Sequence, residues 1–157
     1  TTADDSLSSV IEPHVASSSE RFEMLSRLSD AGIPGGILLM PVLPFLEDSV
    51  ENVLEIVEKA HEAGAKFIYP AFGMTLRQNQ RTWYFDKLNQ LFPEENYVER
   101  YIKTYGNNYN CTSKNAKKLW KVFTEACKQY RILFDMKDII HYYKRGYEIT
   151  QMSLFDL

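Results

Sequence analysis

The sequence predicts an α/β protein: part of a parallel (β/α) barrel in residues 1–74, then a basic, aromatic-rich helical extension over 75–147 and a tail over 148–157. Three observations lead to that class. Helical and strand patterns alternate through the first half with short connections, as in a parallel sheet. The two clear strand patterns are uninterrupted apolar runs, as expected of strands covered on both faces. Two or three such strands make a poor sheet by themselves, so the expectation is the C-terminal portion of a larger barrel-like protein.

The elements follow in order. Thr1-Thr2 reads as the end of a strand. Ser17 and Glu20 form a capping box that opens a helix with Phe22, Leu25 and Leu28 inward, and Gly32 before Ile33-Pro34 ends it. Gly36 to Met40 is the first apolar strand, followed by the stiff segment Pro41-Val42-Leu43-Pro44-Phe45. Asp48 and Glu51 read as a second capping box, for a helix carrying Val50, Val53, Leu54, Val57 and Ala60 and closed by Gly64. Lys66 to Pro70 is the second strand, leading into Ala71-Phe72-Gly73-Met74. Beyond Thr75 the pattern turns helical: Gln78–Phe92, Tyr97–Tyr105, a helix capped by Ser113 and running to Tyr130, and Lys137–Lys144. Asn107 to Ser113 reads as a polar loop.

Charge is lopsided. Residues 1–73 hold four basic and twelve acidic groups, whereas residues 74–157 hold fourteen basic and nine acidic groups with both tryptophans and nine of ten tyrosines. Basic groups interleaved with aromatics suit phosphate contact and base stacking; a solvated helical surface over an aromatic core has the same composition. No apolar run approaches the roughly 18 residues of a membrane-spanning helix, so no membrane partner is expected. Two cysteines, Cys111 and Cys127, and no recognisable secretion signal predict a cytoplasmic protein with reduced thiols. Cys127 falls in an apolar helical pattern and reads as a core thiol. The three histidines are scattered, and no metal-ligand, phosphate-loop or nucleophile-elbow motif is present.

Ligands of open α/β sheets bind outside the carboxyl ends of the strands. Here those ends are Pro41–Phe45 and Pro70–Met74, and the two prolines stiffen the first loop either as a ligand-facing wall or simply as a rigid turn. The tail Gln151-Met152-Ser153-Leu154-Phe155 resembles the peptide with which bacterial proteins bind the sliding clamp, where a few buried side chains carry a small interface. The competing reading is an apolar tail that folds back on its own domain.

Taken together, Thr1-Thr2, Glu12-Pro13, Ser17 to Arg21, Ala31-Gly32-Ile33-Pro34 and Pro41 to Asp48 resemble the second half of the barrel in radical SAM proteins related to spore photoproduct lyase. Thr75-Leu76-Arg77, Asn79-Gln80-Arg81, Leu91-Phe92-Pro93 and Tyr105-Gly106-Asn107 resemble the helical extension of one bacterial branch of that family. The resemblance implies S-adenosylmethionine and a four-iron four-sulfur cluster as cofactors, with lyase-like chemistry on DNA. The family's three-cysteine cluster loop has no counterpart in this sequence, so the chain alone is expected to be inactive. By the same resemblance, Thr1 and Thr2 would sit near the cofactor's methionine or ribose moiety. Arg21 would hold a carboxylate through its guanidinium fork. Glu12 would accept from a ribose or amino group, or pair with Arg21. Met40, Pro41 and Pro44 would wall the adenosine. In the separate resemblance of the tail to the clamp-binding peptide, Gln151, Met152, Leu154 and Phe155 would bind the clamp. Tyr109 and Cys111 lie in the polar loop Asn107 to Ser113; if that loop faces the active site, a phenol or thiol there could donate a hydrogen atom in a radical reaction, the competing reading being an ordinary ordered loop. The alternative is a non-catalytic module that tethers to the clamp or to DNA.

Overall fold

A computed structural model of the chain describes residues 2–145. Seven helices and four short strands are assigned among the described residues: α1 Asp5–Ile11, α2 Ser18–Asp30, β1 Gly36–Leu39, α3 Val50–Glu62, β2 Phe67–Pro70, β3 Gly73–Thr75, α4 Gln78–Leu91, α5 Tyr97–Tyr105, β4 Asn110–Thr112, α6 Ala116–Tyr130 and α7 Met136–Lys144. The fold is mixed α/β, with no closed barrel among the described residues.

β1 and β2 pair in parallel, Leu38 opposite Tyr69 and Leu39 opposite Pro70. A single parallel bridge from Phe67 to Leu133 continues the order past β2, with Ile68 N–H donating to Leu133 O at 2.9 Å. The two faces of this sheet differ sharply. Leu39 and Ile68 are fully buried against Val53, Ile56, Val57 and Ala60 of α3 and Leu119, Phe123 and Cys127 of α6. On the opposite face Leu38 is 63% exposed. Gly36 lies there too, and a Cβ on it would meet the Phe67 ring at 2.6 Å, so the aromatic ring occupies the space a side chain would need.

α3 shows why the helices form where they do: its four buried residues recur at helical spacing and give one apolar stripe. Its N-cap is Ser49, whose hydroxyl accepts from Asn52 N–H at 3.0 Å. The expected Asp48–Glu51 box is therefore not formed; the cap moves one residue on, to Ser49. Asp48 instead accepts from Phe45 N–H at 2.7 Å and from the Ser113 hydroxyl at 2.5 Å. Ser113 is correspondingly not the cap of α6; Asn115 is. The α2 capping box between Ser17 and Glu20 forms as its sequence indicates. Two elements are additions. α1 is capped by the Asp4 side chain and begins three residues after Thr2, which is in no strand; Thr1, the other half of the expected strand end, lies outside the described residues. β4 pairs antiparallel with β3 inside the expected polar loop, Met74 opposite Cys111.

A second apolar cluster holds Leu76, Leu88, Tyr101, Tyr105 and Cys111, with Phe45 and Leu46 of the strand-end loop packed on it. Tyr101 is fully buried; its hydroxyl donates to Pro44 O at 2.9 Å and lies 3.1 Å from the Tyr84 hydroxyl. The extension is thus anchored on the loop after β1, while α6 belongs to the core of the sheet.

Candidate functional site

The carboxyl ends of β1 and β2 open into a cleft of about 650 Å³, lined by Met40, Pro41, Ala71, Phe72, Gly73, Met74, Thr75, Asn110 and Thr112. Its wall is built by the β3–β4 pair, and that pair depends on one glycine. Gly73 has φ +148, and a Cβ there would stand 2.7 Å from the Cys111 carbonyl oxygen and the Thr112 Cα. Only a residue without a side chain lets the two strands approach so closely.

Met40 and Pro41 also line a smaller cavity of about 100 Å³ on their other side, with Ile11, Glu12, Leu43 and Glu47. The loop between them is braced by two buried acids. Glu47 accepts from Leu43 N–H at 2.8 Å, and Asp48 holds Phe45 in its left-handed conformation, φ 71. Burial pushes the Glu47 carboxyl above the usual glutamate range.

Of the residues expected to contact a cofactor, Glu12, Met40 and Pro41 gather at these two cavities. Arg21 bonds Glu12 at 3.0 Å, and its side chain lines a separate cavity of about 310 Å³ between α2 and β1. Glu12 is thus the partner of Arg21. Thr2 is buried, its hydroxyl donating to Asn52 Oδ1 at 3.0 Å, so it ties the chain to α3 rather than facing a cleft. Pro44 is buried under Tyr101 and lines neither strand-end cavity, because its carbonyl is what receives the Tyr101 hydroxyl. Thr1 and the tail residues Gln151, Met152, Leu154 and Phe155 lie outside the described residues.

Tyr109 is 48% exposed beside Thr75; hydrogen bonding from Arg77, then from Thr75, draws its phenol below the usual tyrosine range. Cys111 does not face the cleft. It is fully buried in the second cluster, where desolvation raises its thiol pKa. The polar lining of the cleft comes from Thr75, Asn110 and Thr112, which sequence patterning passed over because β4 is only three residues long. Apolar walls with a few convergent polar groups make the cleft a candidate site for a small ligand. Among the described residues no group of three His, Cys, Asp or Glu side chains could hold a metal ion.

Comparison with known proteins gives a partial relationship. The chain is 32% identical over 85 residues to uncharacterized proteins of Mycobacterium bovis and of two strains of Mycobacterium tuberculosis. That match covers 54% of this chain and 24% of the mycobacterial proteins, so the chain spans about a quarter of their length. No protein-family model matches, and no solved structure does. Among the described residues no helix is long and apolar enough to cross a membrane.

Proposed function

We propose that this chain is the C-terminal part of a radical S-adenosylmethionine enzyme resembling spore photoproduct lyase and acting on DNA. The observation that carries the reading is the half-covered sheet: helices bury one face, Leu38 stands bare on the other, and the strand ends open into a cleft. A barrel half has this form, because its inner face is completed by the strands of the other half.

In this reading Met40 and Pro41 border the adenine, and Thr75, Asn110 and Thr112 supply its hydrogen-bond partners. The Glu12–Arg21 pair fixes the rim next to them. Glu47 and Asp48 keep the Pro41–Leu46 loop rigid, so the wall is set before a ligand arrives. When bound, the cofactor supplies hydrogen-atom abstraction; the cluster's ligands would come from another segment.

Anaerobic reconstitution of the full-length protein with iron and sulfide tests the proposal. The expected result is a cluster signal by absorption and EPR that responds to S-adenosylmethionine, with release of 5′-deoxyadenosine. An intact, folded protein that binds no cluster refutes it. The alternative, a non-catalytic module tethered to the sliding clamp, rests on Gln151 to Phe155; it predicts clamp capture that is lost in the Leu154→Ala, Phe155→Ala variant.

A further inference from the structure

At the amino ends of the same strands, opposite the cleft, lies a cavity of about 310 Å³ lined by Lys66, Arg131, Leu133, Asp138, His141, Tyr142 and Arg145. Three basic side chains and a histidine meet there, against a single carboxylate. Lys66 immediately precedes β2, Arg131 is the left-handed C-cap of α6 with φ 57, and His141 and Arg145 come from the last turn of α7 and its cap. Among the described residues Lys66, Arg131 and Arg145 form no ion pair; Arg145 makes only a cation–π approach to Tyr142, 6.0 Å from the ring centroid.

The cavity does not stand alone, because α6 delivers a row of cations to it. At about 100° per residue, Lys117, Lys121 and Lys128 fall within about 40° of one another, on the side of α6 away from the buried Leu119, Phe123 and Cys127. They are exposed, and again none pairs with a described carboxylate. The row ends at Arg131, the residue that enters the cavity. Glu125 is the acid on this helix, and it lies at the edge of the row.

We propose that the Lys66–Arg131–Arg145 cavity and the α6 lysine row together form a binding surface for the phosphodiester backbone of a nucleic acid. A free phosphate would need only the cavity. The lysines instead follow one another at about 6 Å and about 10 Å along the helix axis, spacings that successive phosphates of a strand can meet. Charge complementarity selects a polyanion; the choice of nucleic acid among polyanions rests on the function proposed above, although the cavity lies at the other end of the strands from the cleft and the lysine row runs along α6 between the two.

The test measures binding of the full-length protein to a fluorescein-labelled 20-base-pair duplex as a function of salt. Two variants are compared with the parent: Lys66→Gln/Arg131→Asn/Arg145→Gln for the cavity, and Lys117→Gln/Lys121→Gln/Lys128→Gln for the row. Asparagine is chosen at 131 because it tolerates the left-handed backbone. Each variant is expected to bind at least about tenfold more weakly at 100 mM salt, with the logarithmic salt slope reduced by about one for each phosphate no longer neutralised. Arg27→Gln, on α2, removes an equal kind of charge elsewhere and leaves binding unchanged. Circular dichroism and melting temperature confirm that each variant is folded. Folded variants that keep the parent's affinity and slope overturn the proposal, as does a parent protein that fails to bind the duplex at 50 mM salt. Inorganic phosphate displacing the duplex at low millimolar concentration also overturns it, in favour of a free-anion site. Cluster loading and S-adenosylmethionine cleavage, measured on the same variants, stay at the parent's level, which separates failure of this surface from failure of the cofactor reading.

Discussion

Replacing Tyr101 by phenylalanine removes one oxygen from a fully buried position and leaves the ring in place. That oxygen donates to Pro44 O at 2.9 Å and neighbours the Tyr84 hydroxyl at 3.1 Å. The ring packing is kept, including the edge-to-face approach to Phe45 at 5.0 Å. Water cannot replace the lost donor, so a carbonyl in the loop after β1 is left without this bond. Leaving a buried acceptor unsatisfied costs about 1–3 kcal/mol. At about 2–4 °C per kcal/mol for a chain of this size, a central value of about 2 kcal/mol lowers the melting temperature by about 4–8 °C. In urea the midpoint falls by about 1 M with the slope unchanged, taking a slope of about 2 kcal/mol/M. Tyr105→Phe is the comparison: its hydroxyl makes one bond, to Thr112 O at 2.8 Å, from a position 8% exposed, and the loss should be about half as large. Hydrogen exchange should also quicken in residues 41–47 of the Tyr101 variant, because its hydroxyl links that loop to α5. A Tyr101→Phe protein that melts within 1 °C of the parent and keeps slow exchange in the loop would refute this account of how the extension holds the cleft wall.

Three further outcomes are expected. Gly73→Ala forces a Cβ to within 2.7 Å of the β4 backbone; it should cost about 1–3 kcal/mol and speed the reaction of Cys111 with a thiol reagent, whereas unchanged stability and reactivity would disprove the close approach. Glu47→Gln should gain melting temperature relative to the parent as pH rises from 4.5 toward neutrality. Burial raises the folded-state pKa of Glu47, so its folded form holds the proton more tightly, and that contribution is present at low pH and lost as pH rises through the raised pKa; a difference between the two proteins that is constant with pH would contradict it. Burial pushes the Cys127 thiol up to about 12, so in native protein at pH 8 it should resist iodoacetamide and react only on unfolding, which mass spectrometry of the alkylated peptide would show.

The parts of the fold that were legible in the sequence are those set by periodicity and chain stops. α3 and α6 carry apolar residues at helical spacing over more than three turns, and Gly36 to Leu39 and Phe67 to Pro70 are apolar runs too short to be helices. Caps were less legible, because a helix start rich in Asp, Ser and Asn offers several oxygens within two residues. At α3, Ser49 took the cap once Asp48 was engaged by Phe45 and Ser113, sixty-five positions away in the case of Ser113. The cleft was half legible. Met40 and Pro41 follow from the rule that ligands gather at strand ends, but Thr75, Asn110 and Thr112 depend on a three-residue pairing between β3 and β4 that no local pattern announces. Pro44 misled because a proline's stiffness says nothing about which way its loop is turned, and here Tyr101 draws it inward. The cationic cavity was hidden for a similar reason: Lys66, Arg131 and Arg145 are far apart in sequence and meet only because β2 and the Leu133 segment run side by side.

The bare face of the sheet is what gives the proposed half-barrel its physical weight. Leu38 at 63% exposed stands on a strand whose other neighbour, among the described residues, is missing: β1 pairs with β2 and with no second strand. An apolar strand with an open edge templates aggregation unless something covers it. A helix laid across the face would bury Leu38 but could not pair the N–H and C=O groups along the β1 edge. A flanking strand would pair the edge but leave the face wet. Further parallel strands that curve round to enclose the inner face meet both needs at once, since closure removes edges and fills the interior with side chains. The same closure would turn the carboxyl-end cleft beside Met40 and Pro41 into an enclosed site, while leaving the α6 lysine row on the outside, where a long polyanion can reach it.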